Sequence, residues 1–265
     1  MAANNLVTLT TDFGVTDHFV GTMRGVILGV NPQANVVDLC NSIPPFDVLD
    51  AAMTLAQAYH YYPTDTTHVV VVDPGVGSAR RPLLVTTTRH YFLAPDNGVL
   101  SLVMDQEERV LVRHITSEHY FLQPLSQTFH GRDVFAPCAG WLSKGVEPAK
   151  FGEEITDYVR FSLPKPKVEG EHTLKGVVLK TDRFGNLITN FTAENAPAIF
   201  AAGAQLRITV GSASVSGLHA SYSEGQHGEL FAILNSMGYL EIACNRGSAA
   251  QLAKAGRSVE VTVEF

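Results

Sequence analysis

The sequence is poor in cysteine. Its 265 residues include three, Cys40, Cys138 and Cys244, which lie far apart and form no CxxC pair. An odd and scattered set of this kind argues against a disulfide framework and against a structural zinc site. We therefore expect three reduced thiols in the protein core and no bound metal.

Long apolar runs and basic clusters are also absent. No uninterrupted apolar stretch approaches the roughly 18 residues of a membrane span, and the N-terminal sequence MAANNLVTLTTDFG lacks the basic and apolar regions of a signal peptide. Nineteen Lys and Arg residues against 26 Asp and Glu residues give a net charge of −7, and the arginines are scattered. These features predict a cytoplasmic protein that binds neither membranes nor nucleic acid, and they permit a small cationic substrate.

Common catalytic motifs are missing as well. The sequence has no GxxxxGK(S/T), HExxH or GxSxG motif, and GVGSAR keeps only the first two glycines of a dinucleotide fingerprint. A metal site built on Asp73 and His130 lacks a neighbouring ligand at i, i+3 or i, i+4 spacing. Classical nucleotide-binding and metallopeptidase functions are therefore not supported.

Residues 1–163 predict an α/β domain. LVTLTT, ANVVDLC and HVVVV are strand-like apolar runs, and the segments between them show the periodicity of helices. Pro32 closes the first helix, and Asp47 is placed to cap the second. A continuous apolar strand such as HVVVV is typical of a parallel sheet that is covered on both faces. We predict a Rossmann-like, mainly parallel sheet.

A second domain follows a short connection. Residues 164–171 contain two prolines, charges of both signs and no periodicity, which predicts a linker. Over residues 172–265, short apolar runs such as LKGVVLKT, LRITV and YLEIAC are separated by Gly, Ser and Asn turns. This pattern is typical of a small antiparallel barrel or sandwich, and we predict a β-barrel domain.

Aspartates mark the ends of the three predicted strands. They are Asp12 in TTDFG, Asp38 in VVDLC and Asp73 in VVDPGVG. Ligands of open α/β sheets bind at such strand ends, although each aspartate alone could cap a helix or a turn. His130, in TFHGRD, precedes a predicted helix that begins near Asp133, and a lone histidine at such a place is more often a structural residue.

Two turns of the second domain are crowded with polar and aromatic residues, more than turn chemistry ordinarily explains. They are Asp182, Phe184 and Asn186 in KTDRFGNLITN, and Ser236, Glu241 and Arg246 in NSMGYLEIACNRG.

Taken in order, these motifs resemble one enzyme family. TTDFG, PPFDV, VVDPGVG with paired arginines, FHGRD, KTDRFGN and NSMGYLEIACNRG resemble the S-adenosyl-L-methionine (SAM) hydroxide adenosyltransferases, relatives of the fluorinating and chlorinating enzymes. The resemblance runs from about Leu6 to Phe265, and the ordered set is specific although each motif alone is weak. It implies hydrolysis of SAM to adenosine and L-methionine without a cofactor, an α/β domain followed by a β-barrel, and a homotrimer whose active sites lie between subunits.

The resemblance assigns water activation to Asp73, Arg80 and His130. Arg80 stays protonated at any working pH, so it can stabilise a developing hydroxide but cannot act as a base. His130 titrates near neutrality, and Asp73 as its partner would orient the ring and raise its basicity. We therefore expect His130, or the Asp73–His130 pair, to accept the proton.

The same resemblance assigns a set of substrate contacts. Asp12 matches the acid that binds the ribose hydroxyls, Asp182 the acid that binds the methionine ammonium, and Ser236 a donor to the methionine carboxylate. Met237 follows Ser236 where the fluorinating relatives have Arg, so backbone amides are an alternative partner for the carboxylate. The remaining candidates are Phe46 at the ribose face, Phe184, Tyr222 and Asn186 near the adenine, and Glu241 and Arg246.

Two other functions stay open at this point. A SAM-dependent halogenase, chlorinase-like or fluorinase-like, is the first, but those relatives carry Tyr and Thr in the segment matching DPGVG and Tyr-Ser in place of His130 and Gly131. A non-catalytic SAM-binding or adenosine-binding protein is the second, and it would not need Asp73, Arg80 and His130 together. Both comparisons favour the hydrolase.

Overall fold

The computed structural model describes residues 5–202 and 206–265. They form two compact units, one that reaches Ser162 and one that begins at Leu163. Residues 1–4, the start of the segment without a signal-peptide pattern, lie outside the described part. Within these described ranges, no helix combines the length and the apolar character needed to cross a membrane.

The first unit is built on a six-stranded sheet with the strand order β2-β1-β3-β5-β4-β6. Strands β2, β1, β3 and β5 are parallel, whereas β4 runs antiparallel to both β5 and β6. The strands are β1 (Leu6–Thr11), β2 (Asn35–Cys40), β3 (Thr66–Val71), β4 (Pro82–Thr86), β5 (His90–Pro95) and β6 (Leu111–His114). The helices are α1 (Phe19–Val30), α2 (Val48–Ala58), α3 (Ser101–Gln106) and α4 (Ala136–Ser143).

The core of this unit follows the alternation of β1. Val7 and Leu9 are fully buried and pack with Met23 and Ile27 of α1, whereas Thr8 lies on the other face of the sheet, where its hydroxyl bonds the His68 ring. The predicted cap of α2 is confirmed, because the Asp47 carboxylate accepts the N–H of Asp50 at 2.9 Å.

The helix that follows FHGRD starts earlier than predicted. A π-helical turn, Gly131–Phe135, leads directly into α4, so His130 caps the helix and Asp133 lies within its first turn. Pro137 lacks an N–H for the carbonyl oxygen of Asp133, four residues before it, and that oxygen instead accepts the N–H of Leu122 at 2.8 Å.

The second unit is a nine-stranded, mainly antiparallel sheet. The strand path runs β11-β10-β15-β8-β9-β14-β13-β12, and β7 pairs with β8. Because β11 and β12 end this path and one residue separates them in sequence, the sheet must curl into a nearly closed, barrel-like form. The strands are β7 (Lys167–Gly170), β8 (Thr173–Thr181), β9 (Leu187–Thr192), β10 (Arg207–Val210), β11 (Ala213–Ser216), β12 (Leu218–His219), β13 (Leu230–Leu234), β14 (Tyr239–Cys244) and β15 (Glu260–Glu264); the helices are α5 (Pro197–Ala202) and α6 (Ala249–Ala253).

Strand β7 lies inside the segment that the sequence predicts as a linker. It pairs antiparallel with β8, with Lys167 opposite Lys175.

The cysteines are free: Cys138 and Cys244 are buried, and Cys40 is half-buried at the end of β2.

Candidate active site

Two parallel strands bring Asp12 and Asp73 to one edge of the sheet. Thr11 of β1 pairs with Val71 of β3, and Asp12 follows β1 directly whereas Asp73 follows β3 after Val72. Because the strands are parallel, their carboxyl ends open on the same side. Asp38 lies instead within the edge strand β2, where it forms an ion pair with Arg24.

A cavity of about 290 Å³ opens at this edge, entirely within the first unit. Asp12, Asp73 and His130 are its ionisable lining residues. Most of the remaining wall is apolar, and Phe13, Phe19 and Phe129 form a ring cluster with centroids 5.3 to 5.7 Å apart; the other apolar side chains are Pro45, Phe46, Val71 and Val76. Apolar walls with a few convergent polar groups are typical of small-molecule sites.

Arg80 links Asp73 to His130. Its Nε donates to Asp73 Oδ1 at 3.0 Å, its Nη2 donates to Asp73 Oδ2, and Nη2 also lies 2.9 Å from His130 Nδ1. The side chains of Arg80 and Asp73 are 8% and 5% exposed, so the pair is desolvated and its bidentate geometry is needed to offset that cost. The Phe135 ring lies 5.5 Å from the guanidinium carbon and adds a cation–π contact.

The contact with Arg80 determines the protonation of the His130 ring. A guanidinium has donors only, so Nδ1 accepts, and the neutral ring carries its proton on Nε2. Burial lowers the pKa of His130 and Arg80 lowers it further, while Asp73, Asp133 and the Ser126 backbone oppose the shift. The neutral ring is therefore the favoured form, and its Nε2–H is a donor.

This arrangement corrects one expectation. Asp73 bonds Arg80, and Arg80 lies between Asp73 and His130. The expected direct contact between Asp73 and His130 is therefore not formed among the described residues. The net direction for His130 is also a lowered pKa, not the higher basicity that a carboxylate partner would give. Among the described residues, His130 Nε2 and Arg80 Nη1 are buried without a hydrogen-bond partner, and of these two residues His130 lines the cavity.

Gly77 fixes the position of the loop that carries Asp73. It has φ +76°, and a Cβ there would overlap the carbonyl oxygen of Gln127. Only glycine meets both conditions without strain. The DPGVG loop is thereby packed against the segment that leads to His130.

Asp12 contacts the backbone at the mouth of the same cavity. Its Oδ2 accepts the N–H of Phe46 at 2.8 Å. Phe46 has φ 66°, which is unusual for a bulky residue, and its side chain is 72% exposed. The bond to Asp12 supports this strained conformation.

A second cavity, of about 600 Å³, lies within the second unit. The candidates that line it are Asp182, Phe184, Asn186, Tyr222 and Arg246. Asn245, another polar residue of the second crowded turn, also lines it. Sequence reasoning left out two further lining residues, Cys244 and Gly247, whose closeness to Arg246 in the sequence is the signal that could have identified them. The structure thus gathers five predicted residues from two distant turns.

Asp182 has local partners of its own. Oδ1 accepts the backbone N–H groups of Phe184 and Asn186, and Oδ2 accepts the Asn186 side-chain amide at 2.9 Å. The carboxylate therefore organises its own turn. Since an ionised carboxylate has about four acceptor positions, acceptor capacity remains for a ligand.

Glu241 and Ser236 do not line the second cavity. Glu241 is 3% exposed and accepts from Tyr222 Oη at 2.8 Å and from Asn235 Nδ2 at 3.1 Å. Burial raises the pKa of Glu241 and, with the Glu241 contact, that of Tyr222. Glu241 thus acts on the cavity through Tyr222.

Ser236 lies exposed in the turn between β13 and β14. In this turn the N–H of Met237 donates to Asn235 Oδ1 and the N–H of Gly238 donates to the Asn235 carbonyl oxygen. These two amides are therefore engaged within the turn.

Across the described ranges, no group of three or more His, Cys, Asp or Glu side chains is arranged to hold a metal ion.

Comparison with known proteins covers both units. Residues 7–152 match the family model of the SAM hydroxide adenosyltransferase N-terminal domain, and residues 176–262 match that of the C-terminal domain. The chain is 34% identical over 260 residues to the (R)-S-adenosyl-L-methionine hydrolase of Salinispora arenicola, covering 95% of each protein. It is 35% identical over 248 residues to the protein of that name from Thermus thermophilus, covering 91% of this chain and 92% of the relative.

Solved structures and a more distant relative agree with this similarity. A crystal structure of an uncharacterised conserved protein from Thermotoga maritima matches with a TM-score of 0.90 and 33% identity, over 98% of this chain and 100% of that one. A fluorinase from Nocardia brasiliensis is 27% identical over 290 residues, covering 97% of each chain.

Proposed function

The chain belongs to the SAM hydroxide adenosyltransferase family, and from this premise we propose that it hydrolyses SAM to adenosine and L-methionine. The observation that carries the proposal is the Asp73–Arg80–His130 arrangement at the first cavity, which presents buried N–H donors with no partner among the described residues. The reaction requires no cofactor, because the sulfonium of SAM is already an activated leaving group.

The chemistry is a displacement at C5′ of the adenosyl group. The oxygen of water or hydroxide forms the new C–O bond as the C–S bond breaks, and the sulfur leaves as the neutral thioether of methionine. One proton of the attacking water is released, so that SAM and water give adenosine, methionine and H⁺. No general acid is needed, since the leaving group carries no negative charge.

The site's contribution is therefore to place and stabilise a hydroxide-like oxygen. Arg80 and the Nε2–H of His130 are donors that stabilise negative charge on that oxygen, and Asp73 holds the guanidinium in place. In the low-dielectric cavity such donors act more strongly than in water. His130 acts as a donor in this scheme, and the proton leaves to solvent.

We propose that the substrate spans groups of both units. Asp12 accepts from the ribose diol, with Phe46 against the sugar, and Asp182 receives the methionine ammonium. Phe184, Tyr222, Asn186 and Arg246 surround the adenine, Glu241 supports Tyr222, and Ser236 donates to the methionine carboxylate. A Rossmann-like unit followed by a β-barrel, assembled in the cytoplasm as a homotrimer, would bring the two groups together from neighbouring subunits.

The fate of isotopic oxygen tests the reaction. In ¹⁸O water the product should be adenosine labelled at the 5′ oxygen, because solvent is the nucleophile. Chloride-containing buffer provides the matched comparison, since a chlorinase-like enzyme would form 5′-chloroadenosine there. Unlabelled adenosine, a halogenated product, or bound SAM that stays intact would each overturn the proposal.

A further inference from the structure

The loop of residues 95–98, PDNG, lies at the end of β5 beside the end of β3. Strands β3 and β5 are parallel neighbours, with Val69 opposite Leu93, so their carboxyl ends open on the same edge of the sheet. The four loop residues, all within the described ranges, are not among those that line the first cavity. Two of them nevertheless bond the segment that carries the water-activating side chains.

The Asn97 side chain bonds the residue that precedes Asp73. Its Nδ2 donates to the carbonyl oxygen of Val72 at 2.8 Å, and its Oδ1 accepts the N–H of Val99 at 3.1 Å. The donor and the acceptor of the amide are both in use, so its orientation is fixed. Val72 is fully buried and follows the last residue of β3. The bond therefore fixes the peptide group between Val72 and Asp73, just beyond the strand.

Asp96 holds the other end of the same segment. Its Oδ2 accepts from Nε and Nη2 of Arg81 at 2.9 and 2.7 Å, and its backbone N–H donates to the Arg81 carbonyl oxygen at 2.8 Å. Its Oδ1 accepts the N–H of Val159 at 2.7 Å, and the residue is 7% exposed. Since Arg81 directly follows Arg80, the main chain beside Arg80 is fixed independently of Asp73.

Residues 72–81 are thus held at each end by one loop. Between the two ends, Asp73 and Arg80 form their bidentate contact, and Nη2 of Arg80 also lies 2.9 Å from His130 Nδ1. A bidentate pair that also reaches a third group tolerates little displacement of either partner. A shift at the start of the segment moves Asp73 while the main chain beside Arg80 stays in place. The guanidinium follows its carboxylate and moves away from the ring.

We propose that Asn97 is a positioning residue of the first cavity, which acts on Asp73 through the carbonyl oxygen of Val72. Asp73 in turn sets the place at which the Arg80 guanidinium meets the His130 ring. The inference deepens the proposed function and rests on it where it concerns rate. The contact of Arg80 with the ring belongs to the protein without substrate, so it is measured separately.

The pKa of His130 reports on that contact in the ligand-free protein. Burial and the Arg80 guanidinium lower this pKa. The carboxylates of Asp73 and Asp133 and the Ser126 backbone oppose the shift. When the guanidinium moves away, the His130 pKa should rise by about 0.5 to 1. An NMR titration of the ring signals, assigned by their loss in His130→Gln, measures it without SAM. Absence of SAM hydrolysis would therefore refute the proposed function and leave this test intact.

Two variants at Asn97 remove the donor to Val72. Asn97→Ala removes the whole amide, whereas Asn97→Ser keeps a hydroxyl acceptor for the Val99 N–H but ends one atom short of Val72. Both should raise the pKa of His130. Both should also lower kcat by about tenfold or more, with KM for SAM changed by less than about threefold, because the substrate contacts remain.

Ser101→Ala is the matched control on the same loop. Ser101 is fully buried, and its Oγ donates to the Gly98 carbonyl oxygen at 2.6 Å and accepts the N–H of Phe161 at 3.0 Å. The change loosens the loop but leaves the bonds to Val72 and Arg81. It should keep the wild-type kcat, KM and histidine pKa, even where it lowers Tm as much as the Asn97 variants do.

Three results would overturn the proposal. The first is a wild-type kcat and His130 pKa in a folded Asn97→Ser protein, which is the deciding variant if Asn97→Ala does not fold. The second is a fall in kcat without a rise in the His130 pKa, since Asn97 would then act without moving Arg80. The third is an equal fall in kcat and an equal rise in this pKa in Ser101→Ala, which would make general loosening of the loop the cause.

Discussion

His68 should make the first unit sensitive to acid. The side chain is fully buried, with its ring stacked on Phe92 at 5.1 Å between centroids and its Nδ1 2.8 Å from Thr8 Oγ1. Burial, together with the nearby His90 ring, lowers the pKa of His68 from 6.5 to about 3. In the region described, Nε2 of His68 and both ring nitrogens of His90 are buried without a hydrogen-bond partner, so no hydrogen bond at these atoms stabilises a charge.

The size of the effect follows from proton linkage. The folded pKa lies below the unfolded one, so the contribution is complete above about pH 6.5, declines as the pH falls and is lost at about pH 3. Each pH unit in that window costs about 1.4 kcal/mol of unfolding free energy. Between pH 8 and pH 5, His68 alone should therefore remove about 2 kcal/mol. The pKa of His90 is lowered in the same direction by burial, and it adds to the loss.

Urea unfolding at pH 8 and pH 5 measures this contribution. Trp141 is the single tryptophan and packs in the core of the first unit, so its fluorescence reports on the unit that contains His68. The double variant Thr8→Val with His68→Phe removes the titrating ring without leaving an orphan hydroxyl, and its pH-dependent loss should be smaller by about 2 kcal/mol than that of the wild type. The exposed residue His119 offers a control, His119→Phe. Equal losses in the double variant and the wild type would refute the reasoning.

Five further outcomes concern the site. His130→Ala should lower kcat on the order of a hundredfold with little change in SAM affinity. Asp12→Ala should weaken SAM and adenosine binding by roughly 1.5 to 3 kcal/mol. Calorimetry and single-turnover rates measure the two effects, and loss of SAM binding in His130→Ala but not in Asp12→Ala would contradict the assignment. Arg80→Lys should lower kcat by about tenfold or more, because an ammonium cannot hold Asp73 bidentately and reach His130; wild-type kcat would contradict the assigned contacts. Since burial and Arg80 lower the pKa of His130, neutral His130 and kcat should persist below about pH 6.5, and an acid limb above that value would count against the assignment. Mixed trimers of Asp12→Ala and Asp182→Ala chains should recover some activity, and none in verified mixed trimers would exclude shared sites.

Local sequence patterns were sufficient to predict the bounds of two strands. The strands β1 and β14 match the quoted runs LVTLTT and YLEIAC residue for residue, because their apolar character is bounded by turn-forming sequence. Strands β4 and β5 were not predicted from the sequence. The three residues between them are too few for a crossover, so the two strands form an antiparallel hairpin, and this hairpin interrupts the parallel order of the sheet.

The residues of the candidate site could be predicted from the sequence, but their arrangement could not. The resemblance placed Asp73, Arg80 and His130 together, but residue types alone could not reveal which of the three lies in the middle. A carboxylate next to a histidine is the common arrangement, and a direct Asp73–His130 pair was expected for that reason. The short PGVGSA segment between Asp73 and Arg80 instead folds the guanidinium back onto Asp73, and the arginine then contacts the imidazole. That outcome depends on the Gly77 turn and on packing against Gln127.

The backbone conformation of Phe46 depends on tertiary contacts and could not be predicted from the sequence. No propensity favours φ 66° for phenylalanine, and such a conformation costs of order 1 to 3 kcal/mol. The Asp12 carboxylate offsets part of that cost through its bond to the Phe46 N–H, and the same carboxylate is the proposed acceptor for the ribose diol. The Phe46 side chain is 72% exposed, so the strained backbone gains little stability from burial of the ring. Binding of the ribose beside Asp12 and Phe46, as proposed, would give this conformation a function.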